Sequence, residues 1–525
     1  MPDSPALCLI GLISFDPACL GLFLHVSALP PPTLLIVCLD SLTCSHLHSS
    51  SCLRGLTRQN KTPGATAFYT EENCPIAEMQ HQLAQLMSKR PTINDIWPDK
   101  CGVYILDNES TATRFIDKKI KELDSMDSEE PFQVLNLDTL IQMHLKWLSY
   151  LPRVKPFYAV KCNSTETVLR TLNALGTGFD CASKGEISQV LSLGVKPENI
   201  IYAHTTKPQS HIKYACAQGV NLMTFDNEEE LQKVSRCHPK AKLVLRIAVD
   251  DSSSFFRLSS KFGAGLSTTS RLLECAAELG LEVVGVSFHI GSICSQSLPF
   301  RQAIADARSI FDTAKLLGFQ FSLLDIGGGF SGKDFPVTLQ EFSEVINGAL
   351  DEYFPFESGV QIIAEPGRYY VESTFTLAAN VIAKRVIMED MRKEGEVPER
   401  LMMYYLSDGV YGSLNFLLRD VQVSPYLHRA VESSEKRYRS VIWGPTCDYI
   451  DKIVDNYLVP ELHVGDWLLF DNIGAYGISM STEFNGFKRS SIYSVVTNET
   501  WNNPQPFLTV TAHCYSILKI FLSTY

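Results

Sequence analysis

Short apolar runs rich in β-branched residues recur eight times between residues 157 and 364, and helix-length amphipathic segments separate most of them. The runs are Phe157–Lys161, Gly178–Cys181, Ile200–Ala203, Leu222–Phe225, Leu243–Ile247, Val283–Phe288, Leu323–Ile326 and Ile362–Ala364. Strands that alternate with helices form parallel sheets, and eight strands within about 210 residues are typical of a (β/α)8 barrel. The sequence therefore predicts the α/β class and a TIM-type barrel. An open, doubly wound sheet is the alternative.

The positions that follow these strands hold many of the side chains able to do chemistry. Active sites of such barrels lie at the carboxyl ends of the strands, so residues there are the first candidates for catalysis and binding. The candidates are Lys161, Asp180, Ser183, Arg246, His289, Ser292, Gly327, Gly328, Gly329, Glu365 and Arg368. Their common placement predicts a single site at one end of the barrel.

Lys161 follows the apolar stretch Pro156–Val160, which is an unusual place for a lysine. Low polarity there would depress the pKa of the amine and free it for Schiff-base chemistry. A lysine that extends from the strand end into solvent is the ordinary alternative. The choice between the two depends on the neighbouring strand ends.

Two of those strand ends favour the chemical interpretation. Gly327–Gly329 directly follow a strand, and such a loop lets backbone N–H groups approach a phosphate closely. Glu365 ends the last strand, and a carboxylate that keeps a pyridine nitrogen protonated makes pyridoxal 5'-phosphate (PLP) an electron sink. A tight turn, a structural salt bridge and, for His289, a core histidine are the alternatives. Together these residues predict a PLP site without a metal.

We assign the predicted barrel to residues 137–370. The segments outside it differ from it in sequence pattern. Residues 1–100 form a divergent arm in which three consecutive prolines, Pro30–Pro32, interrupt the apolar part and no basic residue precedes Arg54. We expect a disordered arm rather than a signal peptide or a membrane span, with a short helical pattern at 76–87. Residues 503–525 are an apolar tail without an assignment.

Residues 371–502 are predicted to form a C-terminal β-domain, and residues 101–136 its N-terminal part. Short strands separated by turn residues indicate this arrangement. The predicted strands of the C-terminal part are Met402–Leu406, Ser440–Trp443, Asp466–Phe470 and Ser490–Val496.

Charge and cysteine content exclude some classes of function. A formal net charge of −12 argues against a nucleic-acid partner, which would need a basic face. The fifteen cysteines are scattered and include no C-x-x-C pair, which favours free thiols in a reducing compartment. We therefore expect a cytoplasmic protein with no nucleic-acid or membrane partner.

The motifs around the candidate residues resemble those of one family. They are PFYAVKCN at 156–163, GTGFDCASKGE at 176–186, VSFHIGS at 286–292, LDIGGGF at 324–330, IIAEPGRYYV at 362–371, DGVYGS at 408–413, WGPTCD at 443–448, HVGDWLLFDNIGAY at 463–476 and FNGF at 484–487. The chain resembles the eukaryotic ornithine decarboxylases, PLP enzymes with an alanine-racemase-like barrel and a β-domain. That family includes antizyme-inhibitor and leucine-decarboxylase-type paralogues. The similarity runs from about residue 101 to about residue 500.

This resemblance implies a cofactor role for each matching position in the barrel. Lys161 would hold PLP through a Schiff base, and Glu365 would pair with the pyridine nitrogen. His289 would stack on the cofactor ring. Asp180 and Arg246 would support the lysine and the cofactor surroundings. The phosphate would be held by Ser292, Gly327, Gly328, Gly329, Arg368 and Tyr476.

The resemblance also implies a substrate site shared between two copies of the chain. Cys447 would protonate the carbanion left after CO2 departs, and Asp408 and Asp448 would bind the distal ammonium of the substrate. Cys447 and Asp448 would come from the second copy of a homodimer. Lys261 and Asp451 match a pair that bridges the interface.

Several departures from the family pattern leave the substrate open. The family has glycine where Ile293 stands, and glycine and leucine where Tyr449 and Ile450 stand. The predicted reaction is L-ornithine to putrescine and CO2, a step of polyamine biosynthesis. A paralogue acting on another amino acid such as L-leucine is one alternative. The other is a catalytically weak antizyme inhibitor, because residues 207–233 resemble the antizyme-binding element, although Thr205 and Thr206 depart from it.

Overall fold

The computed structural model describes residues 102–107, 110–333, 337–388, 400–419 and 421–502, so the arm, its helical pattern and the tail lie outside the described residues. The strands are β1 Val103–Leu106, β2 Phe132–Asn136, β3 Val154–Ala159, β4 Gly178–Cys181, β5 Ile200–Tyr202, β6 Leu222–Phe225, β7 Lys242–Arg246, β8 Ser254–Phe256, β9 Glu282–Ser287, β10 Ser292–Cys294, β11 Leu323–Asp325, β12 Gln361–Ala364, β13 Phe375–Met388, β14 Arg400–Leu406, β15 Tyr426–Leu427, β16 Arg437–Trp443, β17 Lys452–Pro460, β18 Trp467–Asp471 and β19 Ser491–Thr497. The α-helices are α1 Ala112–Ser125, α2 Leu137–Tyr150, α3 Glu166–Ala174, α4 Lys184–Ser192, α5 Gln209–Ala217, α6 Glu228–Cys237, α7 Thr269–Glu278, α8 Leu298–Leu316, α9 Leu339–Tyr353, α10 Arg368–Val371 and α11 Asn498–Asn502.

Eight parallel strands close into a barrel. The order around the ring is β3, β4, β5, β6, β7, β9, β11 and β12. β12 pairs back onto β3, with Ile362 opposite Val154 and Ala364 opposite Pro156. Helices α3 to α9 follow the first seven of these strands in turn. The predicted TIM-type barrel is confirmed, and the open doubly wound sheet is wrong.

The barrel interior is filled by a small apolar cluster that is separate from the main core. Its buried members are Phe157, Ile201, Ala203, Val244, Val284, Leu323 and Ile363. Close packing leaves no room beside the Phe157 ring, because a Cβ added at Gly178 would lie 2.5 Å from it. Burial of these branched and aromatic side chains on inward strand faces explains why the short apolar runs form a closed ring.

A mixed sheet forms the second layer of the molecule. Its strand order is β1-β19-β2-β13-β14-β16-β17, and β18 pairs with both β13 and β15. The four predicted C-terminal strands coincide with β14, β16, β18 and β19 within a few residues, which confirms the β-rich C-terminal region. β1 and β2 precede the barrel in sequence and pair in parallel with β19.

The lysine-bearing strand begins and ends earlier than predicted. The predicted run was Phe157–Lys161, whereas β3 spans Val154–Ala159. Val160–Cys162 then form a single 3-10 turn that carries Lys161. The turn places Lys161 beyond the last strand residue, at the carboxyl end of the barrel.

Within the described ranges, no helix has the length and apolar character needed to cross a membrane.

Candidate active site

Lys161 and Asp180 form an ion pair at the ends of neighbouring strands. Ala159 of β3 lies opposite Asp180 of β4, so the turn after β3 brings the Lys161 ammonium onto the Asp180 carboxylate. Burial opposes the charge of Lys161, but Asp180 and then Glu365 outweigh it and raise the pKa of the amine above its usual value. The expected depression of this pKa is therefore wrong for the site as it stands. Sequence alone did not indicate that two carboxylates converge on the amine.

Glu365 and Asp325 form a second, acidic pair at the ends of β12 and β11. Burial, together with Asp325 and Asp180, raises the pKa of Glu365 well above its usual value. Burial also raises the pKa of Asp325 to about 6, although the Gly327 N–H and the Ser287 hydroxyl donate to it at 2.9 and 2.8 Å. The neighbouring Asp325 charge thus opposes the ionisation of Glu365.

Sequence reasoning missed Asp325 as a site residue. It lies inside the quoted motif LDIGGGF and ends a barrel strand, which is the same signal that identified Glu365. The rule that active sites lie at strand ends was sufficient to find it.

The glycine loop passes directly beside His289. Gly327 and Gly329 have φ of 63° and 117°, where L side chains are strained. A Cβ at Gly328 would lie 2.8 Å from Nε2 of His289 and 3.0 Å from the carbonyl oxygen of Glu365. The three glycines therefore let the loop backbone pack directly against the imidazole, where a side chain would clash.

His289 is held as a neutral ring. Its Nδ1 accepts a hydrogen bond from the Gly291 N–H at 3.0 Å. Burial, with the charges of Arg246 and Lys161, lowers the pKa of His289 well below its usual value. Arg246 is itself buried, with its guanidinium 5.1 Å from the centre of the Phe262 ring. A neutral imidazole can lie against an aromatic ring without repelling the cations around it.

Arg368 and Tyr476 lie together beside the lysine turn. The Arg368 guanidinium is 5.3 Å from the centre of the Tyr476 ring. The Tyr476 N–H donates to the carbonyl oxygen of Cys162 at 2.9 Å, which ties this loop of the sheet layer to the turn of Lys161. Burial raises the pKa of Tyr476 to about 12. The phenol is therefore a neutral donor near an arginine, as a phosphate site requires.

Ser292 and Ile293 lie in β10, which pairs with β8 through Ser292 opposite Phe256. Ile293 has φ of 56°, in the left-handed region. A β-branched residue rarely adopts that conformation. Ile293, which stands where the family has glycine, thus lies at a position whose backbone conformation favours glycine.

The two predicted ammonium-binding residues already have partners within the chain. Asp408 is buried and accepts hydrogen bonds from the N–H groups of Gly409 and Ser413, at 2.7 and 2.9 Å, and from the Ser413 hydroxyl. Burial raises its pKa to about 6, so it is largely ionised at neutral pH. Asp448 accepts a hydrogen bond from the Tyr411 hydroxyl.

Cys447 is exposed, and its N–H donates to Oδ1 of Asn485 at 2.9 Å. Tyr449, two residues on, is 84% exposed. Asp451 is only 1% exposed and accepts from the N–H groups of Val410 and Thr446, both at 2.9 Å. Its carboxylate thus serves the loops of its own chain and has little surface to offer Lys261 of another copy.

The residues at the barrel mouth fit the predicted cofactor. Several buried polar atoms of the described residues have no hydrogen-bond partner, and three of them belong to the candidate site: Oε1 of Glu365, Oδ1 of Asp180 and Nε of Arg368. Such orphaned atoms are costly unless a ligand satisfies them. The Glu365 carboxyl suits the ring nitrogen of PLP, and the Arg368 guanidinium, with the glycine loop nearby, suits its phosphate.

Comparison with known proteins agrees with this chemistry. Residues 137–372 match the family described as "Pyridoxal-dependent decarboxylase, pyridoxal binding domain". The chain is 53% identical over 403 residues to an ornithine decarboxylase of Rattus norvegicus, covering 76% of this chain and 87% of the relative. It is 51% identical over 397 residues to antizyme inhibitor 2 of Xenopus laevis, covering 75% and 87%. The crystal structure of an arginine decarboxylase from Paramecium bursaria Chlorella virus matches with a TM-score of 0.67 and 37% identity, over 73% of this chain and 100% of that chain.

The barrel and its strand-end lysine, glutamate and glycines define the class of pyridoxal-dependent decarboxylases. Within that class, the chain belongs to the family that includes the ornithine decarboxylases and the antizyme inhibitors, and PLP is its cofactor.

Proposed function

We propose that the protein is a PLP-dependent carboxy-lyase that converts L-ornithine to putrescine and CO2. The observation that carries the proposal is the complete set of cofactor residues at the barrel mouth, above all the Lys161–Asp180 pair beside a Glu365 oxygen without a partner. A chain that had lost catalysis would have no reason to keep a fully buried Asp180 carboxylate paired with a lysine and a buried oxygen without a partner, which are both costly.

The chain's own residues divide the work at the cofactor. When bound, PLP supplies the electron sink for the carbanion that remains when CO2 leaves. Burial raises the pKa of Glu365, and its Oε1, which has no hydrogen-bond partner, is available to the ring nitrogen. Asp180 orients the Lys161 amine by a direct hydrogen bond. His289 stays neutral, so it lies against a ring without adding positive charge.

Substrate choice depends on the residues that meet the far end of the amino acid. Asp408 and Asp448 would bind the distal ammonium of ornithine. A site built to bond a polar group rejects an analogue that lacks the group by about 10^4 to 10^5. Retention of both carboxylates thus favours ornithine over leucine. Against this, both acids have partners already, and Tyr449 adds an exposed ring beside Asp448.

The decisive experiment measures CO2 release from ornithine, lysine and leucine by the purified protein. We expect turnover of ornithine, loss of it in Lys161→Ala, and normal turnover in the control Lys315→Ala, which changes an exposed lysine on α8. Asp408→Asn should raise the KM for ornithine at least tenfold while leaving any leucine turnover unchanged. Turnover of leucine alone would refute the ornithine assignment.

A homodimer with shared sites is part of the proposal. Its support is that Cys447 is exposed in the single chain and that Cys447 and Asp448 form hydrogen bonds within the sheet layer, with Asn485 and Tyr411. If a second copy completes each site, mixing inactive Lys161→Ala with inactive Cys447→Ala protein should restore activity. Restoration would fail if each chain worked alone.

Antizyme binding is the second candidate function, because an antizyme inhibitor is nearly as similar to this chain as an ornithine decarboxylase is. Residues 207–233 contain α5, β6 and most of α6, and polar side chains of both helices face outward. Binding of purified antizyme, measured beside uptake of PLP, separates the two functions. Protein that binds antizyme but gains no visible PLP absorbance would be an inhibitor rather than an enzyme.

A cytoplasmic location is also proposed. It is supported by the cysteines, since the seven in the described residues are all free thiols. Fractionation of cells that express the full chain tests it.

A further inference from the structure

Glu372 is a buried carboxylate with no part in the chemistry above. It follows α10 directly and is 4% exposed. Its Oε1 lies 3.3 Å from Nη1 of Arg368 and 3.5 Å from Nζ of Lys333. Its Oε2 accepts a hydrogen bond from the Gly332 N–H at 3.0 Å. The acid is thus anchored against the arginine that the proposed function assigns to the cofactor phosphate.

Two cavities meet at this carboxylate. One, of about 280 Å³, is lined by Arg368, Lys333 and Glu372 among others. The second, of about 450 Å³, is lined by Lys333 and Glu372 and by Ile293, the neighbour of Ser292. Glu372 therefore faces open space at the side of the site where the phosphate residues lie.

The charge of Glu372 works against an anion in that space. A phosphate that hydrogen-bonds to Arg368 must approach a carboxylate that is already 3.3 Å from the same guanidinium. Both side chains are buried, so solvent screens the repulsion weakly. Lys333 offsets it only in part, because its side chain is 40% exposed. If Glu372 stays in place, it repels the phosphate, and if it moves away, it gives up its own contacts. In either case PLP binds less tightly.

We propose that Glu372 is an internal competitor for the cofactor phosphate, occupying Arg368 while the site is empty and weakening PLP binding. The proposal rests on the proposed phosphate role of Arg368. Arg368 Nε still lacks a partner among the described residues, so Glu372 satisfies the guanidinium incompletely and a phosphate can displace it. If Glu372 instead oriented Arg368 for the phosphate, removal of its charge would weaken PLP binding rather than tighten it.

The test measures the dissociation constant of PLP for the full-length apoprotein by quenching of tryptophan fluorescence. Glu372→Gln keeps the shape of the side chain and removes its charge. We expect it to tighten PLP binding by about tenfold, within the usual range of coupling between sites. Pyridoxal, which lacks the phosphate, should show no gain. Glu357→Gln, at an exposed glutamate, is the matched control and should bind PLP as the parent does.

Two further measurements make the result decisive. Thermal melts of the apoproteins verify folding, and inorganic phosphate should raise the melting temperature of Glu372→Gln more than that of the parent. Arg368→Met tests the underlying assignment. If it weakens PLP binding while Glu372→Gln leaves it unchanged or weaker, the competitor role is wrong and Arg368 keeps its role. If Arg368→Met changes nothing, the phosphate assignment itself fails, and the competitor role fails with it.

Discussion

Ile293 provides a direct test of backbone strain next to the cofactor site. Its φ of 56° places a β-branched residue in the left-handed region. An L residue there costs about 1–2 kcal/mol, because Cβ approaches the following carbonyl oxygen. Glycine has no Cβ and escapes this cost. We therefore compare Ile293→Gly with Ile293→Ala, since both variants lose the half-buried Ile side chain beyond Cβ and only alanine keeps the strain.

The expected difference follows from two opposing contributions. Relief of strain favours glycine over alanine by about 1–2 kcal/mol. The greater freedom of glycine in the unfolded chain favours alanine by about 0.4–1 kcal/mol. At the midpoints of these two ranges, the balance makes Ile293→Gly more stable than Ile293→Ala by about 0.8 kcal/mol. At most backbone positions the order is the reverse.

The assay is urea denaturation of the apoproteins, with midpoints and slopes fitted together. Ser295→Gly and Ser295→Ala form the control pair, because Ser295 lies two residues away outside the left-handed region and both variants lose the same hydroxyl contact to Ser253. Alanine should be the more stable member of that pair. Equal stability at position 293, or a preference for alanine there, would refute the assignment of strain.

Three other changes have expected outcomes. Gly328→Ala should weaken PLP uptake at least tenfold, measured by visible absorbance, because the new Cβ lies 2.8 Å from His289 Nε2; a lesser loss would show that the loop yields. Gly178→Ala should cost about 1–3 kcal/mol by overpacking against the Phe157 ring, and Phe157→Leu in the same chain should recover part of it in thermal melts. Burial lowers the pKa of Lys207 to about 8 despite its partner Glu230. The unfolded chain then binds more protons, so stability to urea should rise from pH 8 toward pH 10, and Lys207→Met should lose that rise.

The barrel was predictable because the burial of its strands is directly visible in their apolar sequences. Each is covered on both sides, so each is a short, nearly continuous apolar run such as Leu222–Phe225. Strands of the sheet layer were harder. β13 (Phe375–Met388) begins buried and ends exposed, and β17 (Lys452–Pro460) is an edge strand in which exposed and buried residues follow no regular alternation, so neither has a uniform pattern. Their strand conformation depends on pairing with distant segments, which a local pattern does not contain.

The convergence of strand-end residues at one end of the barrel was predictable, but the electrostatics there was not. Topology alone carries strand-end residues such as Lys161 and Glu365 to one end of the barrel. The pKa of Lys161 depends instead on which side chains lie within a few ångströms, and Asp180 and Glu365 both do. The substrate residues Cys447 and Asp448 lie on a loop of the sheet layer, so no periodicity connects them to the barrel. Only family resemblance indicated them.

The charges at the barrel mouth also explain why the site suits a cationic ring. Three carboxyls, Asp180, Asp325 and Glu365, share this region with Lys161 and Arg246, and burial raises the pKa of Asp325 and of Glu365. Burial and the two neighbouring carboxyls raise the pKa of Glu365, whose Oε1 has no hydrogen-bond partner. A proton acceptor placed at that oxygen would become positively charged at little cost, because the Glu365 carboxylate would then stabilise it in a region of weak screening. The same burial that raises the pKa of Glu365 therefore makes it a strong partner for a protonated nitrogen, and a neutral side chain at position 365 would not provide this stabilisation.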